Sequence, residues 1–561
     1  MSKKENEKPD DRVGPTEDPG EAFREDPLAD TSPLISQEVP PGVDRRHFLI
    51  RSAVGGAAAV MMGQTVSAEA RTAMALATMP PQAKPQAKGS TPPLSADLNV
   101  VKKGKGPVLT TADEFYKVGP GPSSSHTIGP MRITYDFYQR ATKLPADKLA
   151  KATALKVNLF GSLSATGKGH GTERAALAGL VGKEPATVDP KFLDSLRDKP
   201  DQTFDVKLGD KSIKVSLKDV IYDATKGDFK HPNTMTVKLL AGNEVLLEQE
   251  YYSVGGGFIE WKGYTPPKKN PPKYPFSTMK ELRAHADKNK ISIAKVILAN
   301  EMSISGKSEE EVYAFIDKII NAMVATVKSG LSMPEDDVLP GPIKLHSKAA
   351  TVYKRAMDDK YEADKGIAAL SAFALAASEE NGRGHLVITA PTGGSAGVMP
   401  ALVYGLGEGA RKLPIEKIRD GMLAALAVGY LCKHHATLSA AEGGCQAEIG
   451  VASSMAAALT ATAYDAESLV VENAAESALE HHLGMTCDPV AGYVQVPCIE
   501  RCAFGAVKAW TAYALATNEI ASRHRVSFDE TVMALAQTAK EMNSKYKETS
   551  EAGLALSVTL C

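Results

Sequence analysis

Chemistry in this sequence concentrates in a few stretches where hydroxyls, histidines or thiols are framed by glycine and proline. The first is GPGPSSSHTIGPMR, Gly119 to Arg132, which crowds Ser123, Ser124, Ser125, His126 and Thr127 into one turn. Hydroxyls and backbone N–H groups that converge in this way suit a carboxylate or phosphate, although a Ser-rich surface turn has the same composition. The second, GSLSATGKGHGTERAA, carries Lys168 and His170 in a Gly-rich loop between a strand and a helix. Histidine is the side chain best suited to proton transfer near neutral pH, and a loop histidine without a role is the plain alternative. His231, in FKHPNTM, is a weaker candidate of the same kind. In TAPTGGSAGVMPALVYGL, Thr392, Gly393, Gly394 and Ser395 stand just before a helix. Free N–H groups there could hold an anion, or Thr and Ser could simply cap. SVGGGFIEW contains neither phosphate-loop pattern, and is expected to be a strand-end turn with glycines at positive φ.

Four of the six cysteines, Cys487, Cys498, Cys502 and Cys561, fall within the last seventy-five residues, and Cys445 opens a helix after a Gly-rich turn. The spacing is C-x41-C-x10-C, without the close CxxC pairs usual for zinc. So sparse a set is no disulfide scaffold. On spacing alone these are possible thiolate ligands, and no cluster is established. Cys432 lies among apolar residues in the middle of a helix and reads as a buried thiol.

Positioning these groups falls to two regions of different pattern. Alternating ALKVNLFGSL and the pair TMTVKLL and EVLLEQEYYSV around an AGN turn predict strands and a hairpin, with helix ERAALAGLVG between them. Beyond the Pro/Lys-rich stretch at 262–276 the spacing is helical almost without interruption. The expected fold class is α+β: an N-terminal α+β domain at 109–261, a hinge at 262–276, and a larger all-α domain at 277–561. Before it, residues 1–43 read as a disordered leader and 76–108 as a Pro/Ala/Lys linker. Between them, 44–75 place Arg45-Arg46 before a modest apolar run and small residues, the pattern of a twin-arginine export signal. Cleavage is expected after Ala68, with Ala75 as rival, leaving no stable membrane span. A net charge of −2 gives no global field for nucleic acid or anionic membrane.

Taken together, GPSSSHTIGPMR, GSLSATGKGHGT, YYSVGGGF, TAPTGGSAGVMPA, SAAEGGCQAEIGVASSMAAA and CDPVAGYVQVPCIERCAFGAVKAW closely resemble the iron–sulfur L-serine dehydratases of bacteria. The resemblance is to the single-chain form with fused β and α domains, and it spans 109–561. It implies deamination of L-serine to pyruvate and ammonia with a [4Fe–4S] cluster and no pyridoxal phosphate. By motif, Cys445, Cys487 and Cys498 would hold the cluster, with one iron open. His170 would be the base at the α carbon. His126 and His231 would help bind the substrate carboxylate, with Ser123, Ser124, Ser125, Thr127, Lys168 and the Thr392–Ser395 turn as further donors. The apolar tail LSVTLC would bring Cys561 to cap the open iron. The family commonly has Asn where this chain has His435, Gly393 and Cys502. Cys502 follows Cys498 by four residues, on the same helix face, and is a rival ligand. The expected assembly is a homodimer and the expected location periplasmic, with cytoplasmic as the alternative. Rival functions are a related cysteine or threonine lyase and a periplasmic amino-acid-binding or sensing protein.

Overall fold

The computed structural model describes residues 106–558 apart from 226, 228, 267, 359–363, 410 and 411. The leader, the export signal, nearly all of the linker and Cys561 therefore lie outside the described residues. Two hydrophobic cores organise the rest. One lies under a five-stranded sheet and the other fills the helical region.

The sheet has the order β5-β2-β6-β7-β8, with β2 at Ala154–Leu159, β5 at Val220–Tyr222, β6 at Thr234–Ala241, β7 at Glu244–Ser253 and β8 at Ile259–Trp261. In β2 alternate residues Leu155, Val157 and Leu159 are buried, as period-two apolar spacing demands of a half-buried strand. The AGN turn closes the β6–β7 hairpin where it is expected. Helices Gly129–Ala141 and Thr172–Leu180 cover one face of this sheet. A separate hairpin pairs β3, Phe204–Leu208, with β4, Lys211–Val215. Gly255, Gly256 and Gly257 all have positive φ, as expected of the turn after β7. The Gly-rich loop before His170 is more ordered than its composition suggests. Helix Gly161–Thr166 forms within it because Leu163 is fully buried and anchors the turn.

From Met279 onward the chain is helical, with one exception. Strand β9, Leu386–Thr389, pairs antiparallel with β1, Lys117–Pro120, so the helical region contributes a strand to the α+β region. The exchange runs both ways, since Val108, Ala112, Phe115 and Tyr116 are buried in the helical core, where Phe115 packs edge-on against Tyr430. The two cores are thus stitched together directly beside Pro122–Thr127 and Thr392–Ser395. Among the described residues no helix is long and apolar enough to cross a membrane.

Candidate active site

Ser124–Ile128 forms a π-helical turn that opens helix Gly129–Ala141, and the Ser123 hydroxyl caps it by accepting from the His126 amide at 3.1 Å. Such wide turns are uncommon and recur at functional sites. The His126 ring is held from both sides, by Ser125 Oγ at Nδ1 (2.8 Å) and Ser162 Oγ at Nε2 (3.0 Å). Its centroid lies 4.8 Å from that of His170. The Thr127 hydroxyl donates to the His170 carbonyl at 2.9 Å, so the two loops form one unit.

His170 Nδ1 lies 3.0 Å from the Thr166 carbonyl, which can only accept; Nδ1 therefore carries the proton. Nε2 is left with its lone pair and, among the described residues, has no hydrogen-bond partner. Burial pushes the basicity of His170 down, and that of His126 well down, where the neighbouring His170 adds to the effect. His170 is thus a neutral imidazole with a free basic nitrogen, 3.8 Å from Glu548 Oε1.

The helical region supplies the thiols. Cys445 begins a second π-helical turn, Gln446–Gly450, ahead of helix Val451–Ala463. Cys487 sits in a loop and Cys498 starts helix Cys498–Asn518. All three are buried, and no disulfide joins the five described cysteines. The neighbouring thiols of Cys487 and Cys498 hold Cys445 well below the usual thiol range against the cost of burial. The proximity of Cys445, with burial, pushes Cys487 and Cys498 up. Arg501 Nη1 donates to Cys445 Sγ at 3.4 Å and to the Thr486 carbonyl at 2.6 Å, while Nη2 reaches Asp488 at 3.2 Å. Among the described residues, no group of three or more His, Cys, Asp or Glu side chains closes around a position for a single metal ion. The three sulfurs meet around Cys445, an arrangement of thiols rather than a mononuclear cage.

Cys502 does not join them. Its thiol donates to the Gly394 carbonyl at 3.3 Å, and burial pushes it up to about 12. Cys432 is fully buried, but in the last turn of helix Ile415–His435 rather than in mid-helix.

Contacts between the two halves are close. A Cβ on Gly169 would stand 3.1 Å from the Gly492 carbonyl, and one on Gly393 would stand 2.9 Å from the Ser124 amide. Gly393 therefore lets the anion-type loop approach the serine loop where a larger residue would hold them apart. Thr392 and Ser395 are buried with their hydroxyls 3.1 Å apart. The C-terminal segment completes the wall: the Cys487 amide donates to the Tyr546 carbonyl and the Glu548 amide to the Cys487 carbonyl, each at 2.8 Å. Leu554 N then bonds Asp488 Oδ2 at 2.7 Å.

His170, His126, the serines, Thr127, Thr392–Ser395 and the three thiols are thus brought to one seam. Lys168 is exposed and lines an outer cavity of about 390 Å³ with Arg174 and Tyr493. His231 is half-buried and accepts from the Asn233 amide at 3.0 Å. His435 bonds the Ser277 carbonyl at the end of the hinge. Three residues were missed. Arg501 was signalled only by its place three after Cys498, Glu448 by its place three after Cys445, and Glu548 by nothing local.

Comparison with known proteins agrees in both regions. Residues 111–264 match the serine dehydratase beta chain family and residues 288–555 the serine dehydratase alpha chain family. An L-serine dehydratase of Haemophilus influenzae is 37% identical over 79% of this chain and 98% of its own length. L-serine dehydratase 2 of Escherichia coli and an L-serine dehydratase of Streptomyces coelicolor are each 37% identical over 80% of this chain and 99% of their own length. The chain belongs to the serine dehydratase family, in the form that carries the β and α regions on one polypeptide.

Proposed function

We propose that the protein is an L-serine ammonia-lyase that releases pyruvate and ammonia. The observation that carries this reading is the meeting, at one buried seam, of a neutral histidine with a free Nε2 and three buried cysteines, Cys487 and Cys498 neighbouring Cys445. The relatives that span nearly their whole length with this chain are L-serine dehydratases, which supports the same substrate.

The donor set fits a [4Fe–4S] cluster held by three cysteines. Cys445, Cys487 and Cys498 are buried and free of disulfides, and Arg501 donates to the Cys445 sulfur. They would hold the cluster, with Cys502 left to Gly394. When bound, such a cluster supplies a Lewis-acidic iron for a hydroxyl leaving group. His170 Nε2 takes the proton from the serine α carbon, and its Nδ1 bond to Thr166 keeps the ring in the basic tautomer. The Ser123–Ser125 loop and the Thr392–Ser395 turn offer hydroxyls and amides to the carboxylate, and His126 positions the serine loop. Loss of the α proton and the β hydroxyl as water leaves aminoacrylate, which tautomerises to the imine and is hydrolysed. Residues 546–554 run along the Cys487 loop, which supports a capping role for Cys561. Export through Arg45-Arg46 is part of the same proposal, and lysine at both positions should leave the protein in the cytoplasm.

Anaerobic purification with iron and sulfide analysis, a visible spectrum and rates of pyruvate or oxobutyrate release tests the reading. A brown protein with equal iron and sulfide, fastest on L-serine over L-threonine and L-cysteine, is expected. A colourless, iron-free protein active only with pyridoxal phosphate overturns it.

A further inference from the structure

A zwitterionic amino acid presents a cation as well as a carboxylate, and the groups named so far serve only the carboxylate and the α proton. Ser123–Ser125, Thr127, Thr392 and Ser395 are neutral donors, and His170 and His126 are neutral rings. Two acidic side chains facing this site have no assigned role.

Glu448 sits on the π-helical turn one helical turn beyond Cys445, where its carboxylate accepts from Thr392 and lies against Gly394. Glu548 arrives from the C-terminal segment, with its backbone held at φ 60° and its amide on the Cys487 carbonyl. Its carboxylate lies 3.8 Å from His170 Nε2; the two side chains are 11% and 1% exposed. Among the described residues no lysine or arginine forms an ion pair with either glutamate, and Arg501, the nearby cation, is engaged by Cys445, Thr486 and Asp488. Two largely buried carboxylates facing one site are costly unless a cation joins them. The orphaned nitrogen of His170, buried and directed at Glu548, marks where the substrate's α carbon must come.

We infer that Glu448 and Glu548 are the ammonium-recognising half of the site and hold the α-amino group of the substrate while His170 faces its α carbon. The assignment rests on the ammonia-lyase reading. It makes the two glutamates the residues that distinguish amino acids from the corresponding hydroxy acids.

The test uses the full chain, purified anaerobically with its iron, and two probes. L-alanine keeps the ammonium and carboxylate but lacks the hydroxyl; 3-hydroxypropionate keeps the carboxylate and hydroxyl but lacks the ammonium. Protection against thermal unfolding and competition with L-serine are measured for Glu448→Gln and Glu548→Gln. Binding of L-alanine should weaken about tenfold or more, the scale of a lost charge-assisted bond, and 3-hydroxypropionate should stay within about twofold. Iron content and visible spectrum should match the unmodified protein. Equal weakening of both probes, or of neither, overturns the inference. If Glu448→Gln fails to fold, Glu548→Gln decides alone. If the unmodified enzyme releases no pyruvate, the functional reading falls, while the thermal comparison still judges the ammonium site.

Discussion

Cys487 and Cys498 lower Cys445 most, and Arg501 adds to their effect. Arg501 donates to Cys445 alone among the three thiols, and it is fixed by Thr486 and Asp488 on either side of Cys487, so it ties the cysteine loop to the helix that begins at Cys498. On the proposed reading these cysteines hold iron, which binds the deprotonated ligand. Cys445→Ser, Cys487→Ser and Cys498→Ser should each abolish stoichiometric iron. Cys502→Ser should retain it, since a serine hydroxyl can donate to Gly394 in place of the thiol. Iron per chain and visible absorbance separate the two groups. His170→Gln should keep iron while kcat falls by about 10² to 10⁴, the usual contribution of a positioned base. If kcat changes less than threefold, or iron is lost with it, His170 is not the base.

At the scale of elements, the site depends on features of unequal legibility. Strands β2, β6 and β7 were readable from alternation, while the short β1, β3, β4, β5 and β8 were not, and Cys445, Cys487 and Cys498 stood out as rare residues among glycine and proline. The π-helical turns at Ser124 and Gln446 were not readable, because a single widened turn leaves the apolar period on either side intact. Strand β9 was read as part of an all-α region, since LVIT is a short apolar run whose only partner is β1, some 270 residues earlier. Glu548 lies in a polar segment and acquires its position only when the tail pairs with the Cys487 loop. That pairing is slight: two amide bonds to Cys487, the Leu554 amide on Asp488 and the Ser550 hydroxyl on the Pro489 carbonyl at 2.6 Å. Ser550→Ala should remove about 1 kcal/mol of it. Hydrogen exchange at the Cys487 and Glu548 amides should then speed up about fivefold, with the amides of helix Val451–Ala463 unchanged. Unchanged exchange at both loop amides would show that the tail is held by something else.

Across the whole molecule, the candidate site lies at the seam between the two cores, so what holds the cores together bears on its pH dependence. His385, just before β9, is the charged element of that seam. Its Nδ1 lies 3.0 Å from Glu380 on helix Lys365–Arg383, and its Nε2 lies 3.7 Å from Asp194 on helix Pro190–Asp198 of the α+β region. Arg383 also faces Glu380 and Arg197 faces Asp194, so both carboxylates stay ionised beside it. Burial opposes a charge on His385, yet its bonds to Asp194 and Glu380 prevail and raise it to about 9. A histidine raised above its unfolded value near 6.5 stabilises the fold fully below that pH, and the contribution disappears as pH rises through 9. The shift corresponds to at most about 3 kcal/mol. Thermal unfolding of the intact protein should therefore lose several degrees between pH 6.5 and 10, beyond the loss seen in His385→Gln, whose amide keeps the shape without the charge. Parallel curves for the two proteins would assign the seam's strength to the β1–β9 pairing and apolar contact. A difference that opens between pH 8 and 10 assigns it to the imidazolium bridge.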